Sequence, residues 1–197
     1  MRSQLLRRVL SLVFVSIGMA AMVLARVAAE SAADPGDASD NAGFALQREV
    51  EQVLWGCYLV GADQVGVGDV DGAKATLRKC FTDDMTWQTV MPPAYADFGF
   101  STSNGADGFV DLANQIYRGA NYSRVHHLIT NIVVKPSGGD ALRVTSSAQA
   151  IHVFADEHAF SATVKFTDDF VRTGGKWKIS HRVMTVVAAN EIGAWTP

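Results

Sequence analysis

From Leu46 onward the apolar residues recur with a helical period. Leu46, Val50, Val53, Cys57 and Val60 follow one another at spacings of 4, 3, 4 and 3 residues, which is one face of a long helix. Gly66-Val67-Gly68-Asp69 ends it, and Asp69 or Asp71 caps a second helix through Lys79 with Ala73, Leu77 and Cys80 on its apolar side. DMTWQTVMP then reads as a strand ending at Pro92-Pro93, followed by a loop with a short strand at 98–101. Ser103 or Asn104 caps a third helix, whose apolar positions Phe109, Leu112, Ala113, Ile116 and Tyr117 fall at helical spacing until Gly119.

Beyond Gly119 the period drops to two. Val125 to Lys135, Ala141 to Phe154, Ala159 to Arg172 and Trp177 to Val187 are long and rich in β-formers. Gly138-Gly139, Asp156-Glu157 and Gly174-Gly175 supply the turns between them. Three helices and then a four-strand antiparallel meander predict an α+β fold, with a curved antiparallel sheet over helices and a pocket between the layers.

The N-terminus has a different pattern. Arg2, Arg7 and Arg8 precede an apolar run from Val9 to Leu24, and Val27-Ala28-Ala29 supplies small residues before Glu30. This predicts a signal peptide over residues 1–29 and an exported chain, periplasmic or secreted. The apolar run is shorter than the roughly 20 residues a membrane span needs, so no stable membrane insertion is expected after cleavage. The small, acidic stretch 30–43 reads as a disordered linker, 44–190 as the domain and 191–197 as a tail. Cleavage would remove four arginines and no acid from a chain of net charge −3, leaving −7. An acidic chain without a Lys/Arg cluster argues against nucleic acid as a partner. Two cysteines, Cys57 and Cys80, predict one disulfide joining the first two helices in an oxidising compartment.

Alternation puts Leu142, Val144, Ser146, Ala148, Ala150, His152 and Phe154 on one side of their strand, and this small, apolar set should face inward. Three small residues beside a buried imidazole leave room for a ligand. One of His126 and His127 must also face inward; alternation does not say which. On the first helix Tyr58 and Asp63 lie about 140° apart, flanking the apolar stripe. Trp87, Trp177 and Ile179 read as packing residues, with substrate contact the alternative for Trp87. Arg182 reads as a surface or dimer salt bridge, and Asp168-Asp169 as turn or face charges.

Together, FTDDMTW, HHLITN and GKWKISHR resemble the SnoaL-like branch of the NTF2-like superfamily, over about residues 44–187. Within that branch the chain is similar to scytalone dehydratase and the bile-acid dehydratases. The resemblance implies a cone-shaped α+β barrel, commonly a homodimer, with a small apolar molecule bound inside. It implies a cofactor-independent lyase (dehydratase) or isomerase, with no metal, acting on an apolar oxygenated ring compound such as a steroid, polyketide or aromatic. Tyr58, Asp63, His127 and His152 match the catalytic positions of these enzymes, and the match favours His127 over His126 as the inward histidine. Trp87, Phe98, Phe100, Phe109, Val144, Ala148, Phe154 and Phe166 would wall the substrate. The second aspartate of the bile-acid enzymes falls near Gln149 and is missing. A ligand-binding protein of the same fold without turnover is the alternative.

Overall fold

A computed structural model describes residues 35–93 and 102–192. The signal segment, the short strand expected at 98–101, Phe98, Phe100 and the last five residues of the tail lie outside the described residues. The chain divides into two units, Met1–Ala45 and Leu46–Pro197. Of the first, the described part is the start of a helix, which occupies the end of the stretch read as a linker.

That helix, α1, is built in three segments: Pro35–Val53 is α-helical, Leu54–Leu59 is a π-helical turn, and Val60–Gly66 is α-helical again. The π turn corrects the predicted stripe. Val50, Leu54, Tyr58, Ala62 and Val65 are buried, whereas Val60 is exposed. A π turn holds more residues than the 3.6 of an α turn, so positions four apart stay in line, and Tyr58 moves to the centre of the buried face.

Helix α2, Val70–Leu77, is capped by Asp69, whose Oδ1 accepts from the Gly72 N–H at 3.0 Å. A disulfide links Cys57 in the π turn to Cys80, with Cα atoms 6.1 Å apart. It ties the helical layer to the start of strand β1, Phe81–Val90. Strand β2, Thr102–Asn104, precedes helix α3, Gly105–Gly119, which buries Phe109, Ala113 and Tyr117 as its period predicts, and Val110 besides. The meander follows as β3 (Tyr122–Gly138), β4 (Ala141–Phe154), β5 (Ala159–Thr173) and β6 (Lys176–Ile192).

The six strands form one curved sheet in the order β2-β1-β6-β5-β4-β3. The meander is antiparallel throughout, but β1 lies parallel to β6, so the sheet is mixed rather than wholly antiparallel. No hairpin constrains this pair: α3 and most of the meander separate the two strands in sequence, which leaves their relative direction to packing. Bulges bend the long strands. In β6 the register slips between Ile179 and His181 and again between Val186 and Ala188. The first slip keeps both Ile179 and Arg182 on the inner face. Asn131 has φ 53°, inside the irregular stretch of β3 between Thr130 and Val133. Among the described residues no helix is long and apolar enough to cross a membrane. The disulfide is compatible with export.

Helix α1 touches β3 at Gly66. A Cβ added there would sit 2.7 Å from the Val125 Cβ and 3.2 Å from its backbone nitrogen. Neither atom can rotate away. Gly66→Ala should therefore cost about 1–3 kcal/mol, read as a lower midpoint in urea unfolding; an unchanged midpoint would show that the contact yields.

Candidate active site

Strand β3 is an edge of the sheet, and its next neighbour in space is α1. Trp55 Nε1–H donates to the Ile129 carbonyl at 3.3 Å. One turn past Tyr58 on α1, Asp63 reaches the same strand. Its Oδ1 accepts the backbone N–H of His127 at 3.1 Å and faces His127 Nδ1 at 2.7 Å. The edge N–H that no strand satisfies is thus capped by a carboxylate that also holds the neighbouring ring. A carboxylate can only accept, so the proton of the neutral His127 ring sits on Nδ1, and Nε2 carries the lone pair. The His127 side chain is 10% exposed and lines a cavity, while the His126 side chain is 64% exposed on the other face.

The cavity measures about 100 Å³. Tyr58, Trp87, Phe109 and Phe166 form an aromatic wall, with ring centroids between 4.5 and 6.3 Å apart. Ala148, Ala150, Ala162 and Ala189 form a small-residue floor, and Met91 and Met184 also line it. His152 projects from β4 with its ring centroid 6.2 Å from that of His127 and 4.7 Å from Tyr122. Its Nδ1 has no hydrogen-bond partner among the described residues.

Burial and the neighbouring His127 push the His152 imidazole down to about 4, with the Phe160 backbone opposing. It is therefore neutral at neutral pH and can act as a hydrogen-bond donor or acceptor, not as a cationic acid. Burial pushes the Tyr58 hydroxyl up to about 12, against the pull of the Arg182 guanidinium, so it stays protonated and can donate.

The His152 shift carries a stability prediction. The unfolded chain takes up a proton near 6.5 and the folded chain only near 4. The stability that neutral His152 preserves is present above pH 6.5 and lost as pH falls toward 4. Between pH 7 and 4.5 this amounts to ~2–3 kcal/mol. His152→Phe should be less sensitive to that pH drop than wild type by this amount in urea unfolding; equal losses would refute the shift.

Several expected site residues occupy other places. Val144 is fully buried in the core and does not line the cavity. Phe154 also lies outside the lining, packed edge-on to Tyr122 at 4.9 Å. Both share the inward face of β4, but that face extends past the cavity at either end. Trp87 both packs and lines. Arg182 and Asp168, read from the sequence as surface groups, are fully buried and joined at 2.6 and 2.7 Å. The guanidinium lies 3.9 Å from the centroid of Tyr58 and 4.3 Å from that of Phe166, behind the aromatic wall. The available signal was phase: Asp168 falls in step with Val164, Phe166 and Phe170 on β5. Tyr117, Tyr122 and Phe160 also line the cavity; of these the sequence marks only Tyr117, on the apolar face of α3.

The structure is similar to that of LinA, with a TM-score of 0.63 at 20% identity over 81% of this chain and 99% of that one. It is also similar to a hexachlorocyclohexane dehydrochlorinase, LinA type 2 (TM-score 0.62, 18% identity, 80% and 97% covered). A scytalone dehydratase-like protein of Novosphingobium aromaticivorans gives a TM-score of 0.60 at 17% identity, with 80% and 94% covered. At these identities the likeness shows the fold, an NTF2-like cone. No curated protein matches the chain. A family model described as a SnoaL-like domain matches residues 68–183, from the cap of α2 into β6, and the chain belongs to that family.

Proposed function

We propose that this protein is an exported, cofactor-independent lyase of the dehydratase type, or an isomerase, that acts on an apolar oxygenated ring compound by Asp63–His127 acid–base chemistry. The observation that carries this reading is the 2.7 Å contact between Asp63 and His127 Nδ1 at the edge of an apolar cavity. Among the described residues it leaves His127 Nε2 as the basic atom there that a carboxylate orients. The similar structures named for a dehydrochlorinase and a scytalone dehydratase-like protein add that this cone can house eliminations.

In the proposed reaction Nε2 takes a proton from a carbon beside a carbonyl. The C–H electron pair becomes the new double bond. In a dehydration the hydroxyl on the next carbon leaves with its bonding pair and takes the proton from His127 Nε2 to become water, which restores the neutral base; in an isomerisation the same proton returns at another carbon. Tyr58 donates a hydrogen bond to the substrate oxygen as charge builds on it, while neutral His152, its ring held by the Phe160 backbone, offers its unpartnered Nδ1 as an acceptor to a substrate hydroxyl. Asp63 holds the ring and stabilises the imidazolium. The aromatic wall keeps water out, so these interactions act at low dielectric. Trp87, Phe109, Phe166 and Ala148 contact the ring of the substrate.

The cavity is of the order that admits one ring, since a dry apolar cavity of about 150 Å³ takes benzene. NTF2-like proteins are commonly dimers, and a homodimer is part of the proposal. A screen of cyclic ketones and hydroxyketones by thermal shift, with mass spectrometry of each incubated compound, tests the reading. It expects a stabilising compound that loses water or rearranges. Binding without conversion of any stabilising compound would favour a carrier, the reading that the missing second carboxylate supports.

A further inference from the structure

We propose that His126, on the solvent side of β3, is a positioning residue that sets the base strength of His127 through their shared carboxylate, Asp63. This rests on the reading of Asp63–His127 as the catalytic base. The two histidines are neighbours in sequence and point to opposite faces of the strand, yet both reach Asp63. Oδ1 faces His127 Nδ1 at 2.7 Å and Oδ2 faces His126 Nδ1 at 3.4 Å. This is possible because β3 is an edge strand: a carboxylate arriving from α1 meets it end-on and has one oxygen on each side. The inner ring is 10% exposed and the outer one 64%, so the outer histidine exchanges protons freely with solvent while the inner one sits in the cavity.

The consequence follows from charge. Neutral His126 is a weak partner and leaves the full carboxylate charge to His127. Protonated His126 draws on that same charge and adds a like charge next to the His127 ring, so His127 becomes a poorer base. The other groups facing the two rings differ in kind. His152 from β4 stays neutral over the relevant range, Tyr58 and Tyr117 are both pushed up by burial, and Arg124 is ion-paired with Glu157. None of these carries a free charge that changes where histidines titrate.

The test needs no substrate. Nitrogen-detected NMR of the imidazole rings, on the full chain, follows His127 against pH in wild type, His126→Gln and His126→Lys. The expected wild-type curve for His127 is broadened below single-site steepness. His126→Gln should sharpen it and raise its midpoint. His126→Lys, with a permanent cation, should lower the midpoint relative to His126→Gln, by a factor of about three or more in proton affinity. The same His127 midpoint in both variants would overturn the proposal. That failure is separable from failure of the base assignment: His127→Gln tests the base by turnover, whereas this coupling is read without turnover.

Discussion

Arg182→Ala is expected to lower stability by about 3–5 kcal/mol, because it leaves Asp168 charged, buried and unpaired. For a chain of this size that is a fall of about 10 °C in Tm. The pair is fully buried, with two hydrogen bonds of 2.6 and 2.7 Å. Burial pushes the Asp168 carboxyl up while Arg182 opposes it, so Arg182 is the main support of the charge. The damage should reach the cavity, since the guanidinium is the platform under Tyr58 and Phe166. The contrast is the double variant Asp168→Leu with Arg182→Met, which removes both charges and keeps most of the volume. It should recover most of the loss, because apolar replacements of buried ion pairs are often neutral or better. Thermal unfolding of both variants decides the matter. If the single variant melts with wild type, the pair contributes nothing net.

His127→Gln is expected to reduce turnover by about 10²–10⁴-fold, the range for removing a general base, while leaving the fold intact. Gln can keep a hydrogen bond to Asp63 at similar volume but offers no basic nitrogen. Asp63→Asn should fall in the same range for a different reason. An amide can bind His127 Nδ1 as donor or acceptor and no longer fixes the tautomer with Nε2 free. It also loses the charge that stabilises the imidazolium. Single-turnover rates separate these variants from simple loss of substrate affinity: both should bind the compound and fail to convert it. Retention of the wild-type rate in either would remove the dyad from the mechanism.

Much of the architecture is written locally in the sequence. The 3.6-residue period of α3, the Gly-Gly turns and the alternation along β4 each depend on near neighbours, and each appears in the structure where the pattern places it. What was not legible depends on geometry that only the whole chain creates. The π turn at 54–59 redirected α1 and centred Tyr58 on its buried face. The parallel pairing of β1 with β6 joins segments far apart in sequence. Arg182 looked like a surface residue because charged residues are rarely buried unless paired, and its partner lies across a strand pair bent by a bulge. His126 and His127 could not be separated by alternation; burial separates them, with His127 beside Val125 and Ile129 on the inner face. The contact of Asp63 with β3 depends on the edge position of that strand, which no spacing reveals.

The measurement that bears most directly on the account is deuterium exchange in D₂O, using wild type and His127→Gln with a cyclic ketone or hydroxyketone that stabilises both. If His127 is the base, wild type will place deuterium on the carbon beside the carbonyl or convert the compound, and the variant will bind it unchanged. A compound that occupies the cavity of wild type and leaves with neither deuterium nor a changed structure would contradict the account and make the protein a carrier.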